Sequence, residues 1–524
     1  MFGRVKARAW GLFGWLFVFG CLSALLSGCV RRNPDKCRMP DYPCEDDARC
    51  VVEPGASAGR CYDGTCKTHE DCPKDAPTCG LDGRCFRCAN HQECSGQGTA
   101  SICNAGNCVN CASNADCPSA EQPVCDKEKF TCRACVLHSD CNDSTNFDKG
   151  ICVKDRTLET LPAGLGLKMG GCVPANRSIR LDKSGCEAQN CDPVILFAKL
   201  GKEIPYIRIG DYHLNTQITF QAQDASPNIH VVGATADYSP ESPIIHIQNA
   251  PVTRISGGGL AAFVVASGAH ITVEGVFFAG AQSAIHCQAS TDGSSVRFLR
   301  SAVTGAKLGV VAENKCQVNV DRVWFGSLPL GRIWDGGSGP IETAAIQIDR
   351  ARVDVFNSII SASGSKTGCG GINILENDAD SPIRLINTTF AKMITTFCSD
   401  QIISCKKPMS KITMANTLLF DEAESANGTM INPLCDQTML YRVASNDVAV
   451  TGQGTMSDLK PSDVFVNYSS NNYAIKDDAH IFVRNGGLIE LLDINGYNLI
   501  PKIDLSGKPR SPTQTTLGAM EAKH

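Results

Sequence analysis

The feature that most restricts this chain is an eight-residue pattern that recurs in register. It reads "ITVEGVFF" from Ile271, "VRFLRSAV" from Val296, "VNVDRVWF" from Val318, "VDVFNSII" from Val353, "IRLINTTF" from Ile383 and "ITMANTLL" from Ile412. Apolar or small residues fall at offsets 0, 2, 5 and 7 of each copy. Alternation over three residues marks a short strand with one buried face. Its return after a phase shift requires a tight corner and then a second strand. The corner falls at offset 4, filled by Gly275, Arg300, Arg322, Asn357, Asn387 and Asn416. Gly and Asn are the residues that tolerate left-handed backbone angles.

Upstream of the later copies lies a third short apolar strand: "AIHC" at 284–287, "GVVA" at 309–312, "AIQI" at 345–348, "GINI" at 371–374 and "QIIS" at 401–404. Three short strands and a corner per repeat describe one coil of an all-β solenoid, a parallel β-helix. A β-sandwich does not require six copies in one register. Coils stack about 4.8 Å apart, so like residues form columns. Column stacking predicts an internal amide ladder of Asn357, Asn387 and Asn416. It also brings Cys369 within disulfide reach of Cys398, with Cys405 and Cys435 as a looser second pair. Cys287 is expected as a buried thiol, with Cys316 unassigned.

Residues 192–524 resemble the right-handed parallel β-helix proteins of the pectate-lyase-like superfamily. The resemblance includes the opening "IPYIRIGDYHL" (204–214). It also includes the closing stretch 462–521, in which Asp504, Gly507 and Arg510 precede Gly518–Glu521. The resemblance implies a fold shared by polysaccharide lyases, glycoside hydrolases and non-catalytic surface proteins, so it does not set the activity. Enzymes of that group place carboxylates and basic residues on the outward face of the strand that precedes the corner pair. Here those positions are expected at His286, Val311, Gln347, Asn373 and Ile403, which hold no carboxylate, Lys or Arg. His286, Gln347 and Asn373 suit hydroxyl binding better than proton abstraction. The longest excursion, 326–343, carries Arg332, Trp334 and Asp335, a set suited to stacking on a sugar ring or anchoring a protein. No cofactor is expected. The carboxylates of "ENDADS" (376–381) match no Ca²⁺-loop spacing, so Ca²⁺ is disfavoured rather than ruled out.

Thirty Cys are far above ordinary usage, and 22 of them lie between Cys37 and Cys191. Four copies of Cys-x5-Cys, "CKTHEDC", "CANHQEC", "CASNADC" and "CVLHSDC", are joined by Cys-x2-Cys pairs at 85/88, 108/111 and 132/135. The first two of these pairs have the spacing of a zinc ribbon. However, Cys94 and Cys103 intervene, and the recurring His69, His91 and His138 is Asn114 in one copy. His and Asn share backbone hydrogen bonding at turns better than they share zinc. Units this small need covalent staples, and disulfides form in exported proteins.

Export is read from the N-terminus. Arg4, Lys6 and Arg8 precede an apolar stretch, 11–26, that ends in "LSGC" at Cys29. That ending resembles the bacterial lipobox, which implies lipidation of Cys29 and, with Val30 following, sorting to the outer membrane. The apolar stretch is short for a membrane span. The expected organisation is a signal peptide at 1–28, a lipidated Cys and linker at 29–36, Cys-rich repeats at 37–191 and a β-helix at 192–524. With net charge −5 and no basic cluster beyond the first 32 residues, nucleic acid is not an expected partner. The expected function is a lipid-anchored surface protein whose β-helix binds polysaccharide or protein without catalysis. A lyase or hydrolase with an atypical site is the alternative.

Overall fold

A computed structural model describes parts of residues 49–522, with breaks, most continuously over 100–119, 121–141, 260–289, 293–326, 430–447, 452–470 and 472–506. The expected signal peptide and Cys29 lie outside the described residues, as do Cys369 and Cys398. The chain divides into two compact units. One is Met1–Pro118 with Val124–Arg133, and the other is Ser119–Pro123 with Ala134–His524.

The first unit is built from stapled modules. In each, the first Cys bonds the third and the second bonds the fourth: Cys66–Cys79 with Cys72–Cys85, Cys88–Cys103 with Cys94–Cys108, and Cys111–Cys125 with Cys117–Cys132. Covalent pairing removes these sulfurs as zinc ligands. The His/Asn position has a backbone role. His91 Nδ1 accepts the Cys103 N–H at 3.0 Å, and Asn114 Oδ1 accepts the Cys125 N–H at 2.8 Å. The acid before the second Cys caps the short 3-10 turn. Asp116 accepts the N–H groups of Ala112 and Ser113, and these bonds hold its carboxyl below the usual range against the opposing effect of burial.

The second unit is a parallel β-helix. Its first stack of strands includes His270–Glu274, Ser295–Leu299, Gln317–Asp321, Arg352–Phe356 and Ile383–Ile386. Each pairs in parallel with the next, so that Ile271, Val296, Val318, Val353, Ile383 and Ile412 share one column. The second stack follows the corner, with Phe277–Ala279, Ala302–Thr304, Trp324–Gly326 and Ile359–Ser361. The third stack comprises Ile218–Phe220, Phe263–Val265, Ser283–Gln288, Leu308–Glu313, Ala344–Asp349, Ile372–Glu376 and Ile403–Cys405. The first stack starts upstream of residue 192, because Ser178–Leu181 pairs in parallel with Tyr206–Ile209.

All six corner residues take positive φ: 66° at Gly275, 43° at Arg300, 56° at Arg322, 44° at Asn357, 52° at Asn387 and 50° at Asn416. Arginine is a poor occupant of that region. Arg300 pairs with Glu274, and Arg322 pairs with Asp321 at 3.0 Å, which helps to hold both. A seventh corner, Arg442 (φ 55°), lies in the last described rung, Gln437–Ser445, and breaks the sequence pattern. Offset 5 carries a second device. Ser301 Oγ accepts the Val276 N–H of the preceding rung and donates to the Leu299 carbonyl, and Ser358 repeats this with Val323 and Phe356. The interior is apolar and close-packed, with Phe220, Phe263, Phe278, Phe298 and Phe325 in an edge-to-face chain at 5.1–6.2 Å between ring centroids.

The Asn corners do not form an internal ladder. One amide link joins neighbours, Asn416 Nδ2 to Asn387 Oδ1 at 3.4 Å. The three side chains instead face the C-terminal segment. Asn416 exchanges two hydrogen bonds with the backbone of Leu488, at 2.6 and 2.8 Å. Asn357 Oδ1 accepts from Arg510, and its Nδ2 donates to Asp321. Arg510 is buried, donating also to Glu521 at 2.8 Å and to the carbonyls of Gly518 and Ala519. Asp504 accepts the N–H groups of Lys508 and Glu521. Gly518 (φ 84°) approaches so closely that a Cβ would sit 2.6 Å from Thr389 Oγ1. The closing motif is therefore a clamp on the corners.

Late cysteines staple successive rungs. Cys405 is bonded to Cys435. Cys287 is not a free thiol, because it is bonded to Cys316. The sequence put Cys287 on the inward face, but Cys316 lies ahead of its motif copy and gave no register.

Replacing Arg510 with Met should cost about 3–5 kcal/mol, because Glu521 would be left buried without its counter-charge. Urea unfolding should show a lowered midpoint at unchanged slope. An unchanged midpoint would show that the clamp does not stabilise the helix.

Candidate functional site

Two outward faces of the β-helix carry polar side chains. On the third stack, register places Val264, His286, Val311, Gln347, Asn373 and Ser404 in one column. His286, Gln347 and Asn373 thus lie on one face. Ile403 does not join them, because it pairs with the inward Ile372, and Ser404 takes the outward place. The strand there begins one residue later than the apolar run suggests. Val311 and Asn373 are buried, whereas His286, Gln347 and Ser404 are partly exposed.

Two residues further along these strands is a column that sequence reading missed: Gln288, Glu313, Asp349 and Glu376. For Gln288, Glu313 and Asp349 the signal lay in plain alternation, since each is two residues beyond His286, Val311 and Gln347, whereas Glu376 enters the column through a register shift that alternation does not reveal. Each carboxylate has a basic side chain beside it: His286 at 3.2 Å from Glu313, Arg350 at 3.3 Å from Asp349 and Lys407 at 2.9 Å from Glu376. The hydrogen bond from His286 holds the Glu313 carboxyl below its usual range, and Lys407 does the same for Glu376. Both are anions at neutral pH and are not poised as proton donors.

The first stack precedes the corner directly, and its outward column reads Thr272, Arg297, Asn319, Asp354, Arg384 and Thr413. It therefore holds the charged residues whose absence was expected on the third stack. Asp354 and Arg384 are both buried. Arg384 donates to the two Asp354 oxygens at 2.5 and 3.2 Å, and Arg352 adds a third bond at 3.2 Å. Burial pushes the Asp354 carboxyl up to about 6 against the pull of Arg352, with Asp493 adding to the rise. A raised carboxyl in a charged cluster suits an active site, but here the face is covered. Ile500, Leu488 and Leu491 of the C-terminal segment pack on Ile386, Ala415, Phe356 and Tyr441 of the same stack.

Of the excursion, the backbone of Ile333–Trp334 pairs antiparallel with Pro340–Ile341, forming a hairpin. Arg332 and Asp335 lie outside the described residues. No protein-family model matches the chain, and no curated protein matches it.

Asp354 should leave a signature in acid. Its folded pKa of about 6 lies above the ordinary 3.8. The resulting stabilisation is therefore fully present below pH 3.8 and is lost as pH rises through 6, a swing of about 3 kcal/mol. Asp354→Asn should lose that slope from the dependence of its unfolding free energy on pH across pH 4–6. A slope unchanged from the parent would show that Asp354 does not titrate there.

Proposed function

We propose that this chain is an outer-membrane lipoprotein whose β-helix binds a polysaccharide or protein ligand on the third-stack face without cleaving it. The observation that supports this reading is the division of labour between the two outward faces. The first stack is covered at its upper rungs by the module 135–172, where Ile151, Val153 and Val173 pack on Val232. At its lower rungs the C-terminal segment covers it. The third stack presents His286, Gln347 and Ser404 partly exposed beside Asn373. An extended ligand lying across these rungs meets a partly exposed hydrogen-bonding group at every second rung, at His286, Gln347 and Ser404, with rungs about 4.8 Å apart. The neighbouring Glu313 and Glu376 carboxyls are held below their usual range by basic partners, which suits recognition of hydroxyls and amides more than acid–base chemistry. The likeness to pectate-lyase-like β-helices agrees with a polysaccharide ligand, and the lipobox-like "LSGC" at Cys29 supports the anchor.

Binding to acidic and neutral polysaccharides, with and without Ca²⁺, tests the site. Gln347→Ala should weaken binding about three- to tenfold, the loss of one hydrogen bond. Trp334→Ala should weaken it more than Asn373→Ala, since stacking contributes more than one amide bond. New reducing ends or unsaturated-uronate absorbance above a heat-killed control would establish the lyase or hydrolase reading instead.

For the anchor, the mature protein should begin at a lipid-modified Cys29 and partition into detergent, and Cys29→Ala should give an uncleaved or soluble product. Intact-mass analysis showing an unmodified N-terminus elsewhere would overturn it.

A further inference from the structure

The fourth stapled module, with Cys135–Cys152 and Cys141–Cys172, belongs to the β-helix unit, whereas the three before it form a separate one. Its internal design matches theirs. His138 Nδ1 accepts the Cys152 N–H at 3.0 Å, as Asn114 accepts that of Cys125, and Asp140 caps Val136 and Leu137 as Asp116 caps its own turn. One thing differs. His91 is exposed and Asn114 half-buried, but His138 is 2% exposed.

The bond to Cys152 occupies Nδ1, so the neutral ring carries its proton on Nε2. That nitrogen lies 3.6 Å from Glu274 Oε2 on the first stack. Glu274 is itself buried and paired with Arg300, the corner residue of the next rung. Glu274 also stands beside Val232 in the parallel register, and Val232 receives Ile151, Val153 and Val173 of the module. The polar and apolar halves of the seam therefore sit on adjacent rungs of one column.

We propose that His138 is the residue that recruits this module to the β-helix. Its Nδ1 side does the work that His91 and Asn114 do in their modules, and its Nε2 side reaches the Glu274–Arg300 pair that docks the module on the solenoid. Asn at this position can supply only the first function. The module is thereby converted from a stalk repeat into a fixed cover for the upper rungs of the first stack.

The repeat itself supplies the test. In the full chain, His138→Asn keeps an acceptor for the Cys152 N–H but loses the reach to Glu274. Peptide mapping should still find Cys135–Cys152 and Cys141–Cys172. Amide hydrogen exchange at 151–153 and 229–232 should rise about tenfold, as the seam opens locally. Glu274→Gln, which leaves the module interior untouched, should raise exchange at the same amides. The double variant should exceed the larger single effect by little, since both break one contact. Seam exchange equal to the parent in His138→Asn would overturn the proposal, leaving the apolar patch as the sole dock. Scrambled disulfides in that variant, or fully additive effects in the double one, would overturn it too.

Discussion

In a parallel β-helix the ladder hydrogen bonds run between rungs. A strand such as Arg352–Phe356 finds its partners in Gln317–Asp321 and Ile383–Ile386, at a distance in sequence. No rung is stable alone, and each must present its strands at the same heights and turn at the same place. This requirement makes the corner the most constrained position in the repeat. All six corner residues of the recurring pattern are left-handed, including two arginines that gain a carboxylate partner at the turn. The hydroxyls of Ser301 and Ser358 serve the same end by accepting an N–H of the preceding rung at the point where the strands break.

A stack of this kind has free edges and free faces, and the chain spends its remaining segments on covering them. The C-terminal segment does so with charge as well as apolar surface. Arg510 ties Glu521 to the Asn357 corner, and Asn416 is held by Leu488 through both ends of its amide. A guanidinium this deep is tolerated because its donors meet a carboxylate, an amide and two carbonyls at once. The same arrangement accounts for Asp354 and Arg384, whose charges survive burial only as a bonded set.

Much of this architecture was legible in the sequence because period-two alternation and left-handed corners are local demands that residue types meet directly. The inward columns followed from the apolar offsets, and the disulfide character of the modules followed from Cys density. What was not legible depended on partners distant in sequence. The Asn side chains looked like a ladder because their spacing is right, but their amides answer to Leu488 and Arg510, far downstream. Cys316 lay outside the motif, so its bond to Cys287 had no register to predict it. Ile403 reads as outward in the sequence because an apolar run hides where a strand starts, and the structure gives the outward place to Ser404. Glu313 and Asp349 were readable by counting two residues onward, but Glu376 joins their column through a register shift that counting misses.

These constraints narrow where a ligand can be met. Inward positions are fixed by packing and corner positions by backbone geometry, while the outward face of the first stack is largely committed to the molecule's own segments. A solenoid gains recognition capacity from faces where side chains are neither structural nor covered, because only there can one residue change without disturbing the rung beneath it. On the third stack the column passes through His286, Val311, Gln347, Asn373 and Ser404, different chemistry at each level on an invariant backbone. Core columns of the same rungs hold Ile285, Val310, Ile346, Ile372 and Ile403. Uniformity inside and diversity outside, on strands one residue out of phase, agrees with the binding role proposed for this face.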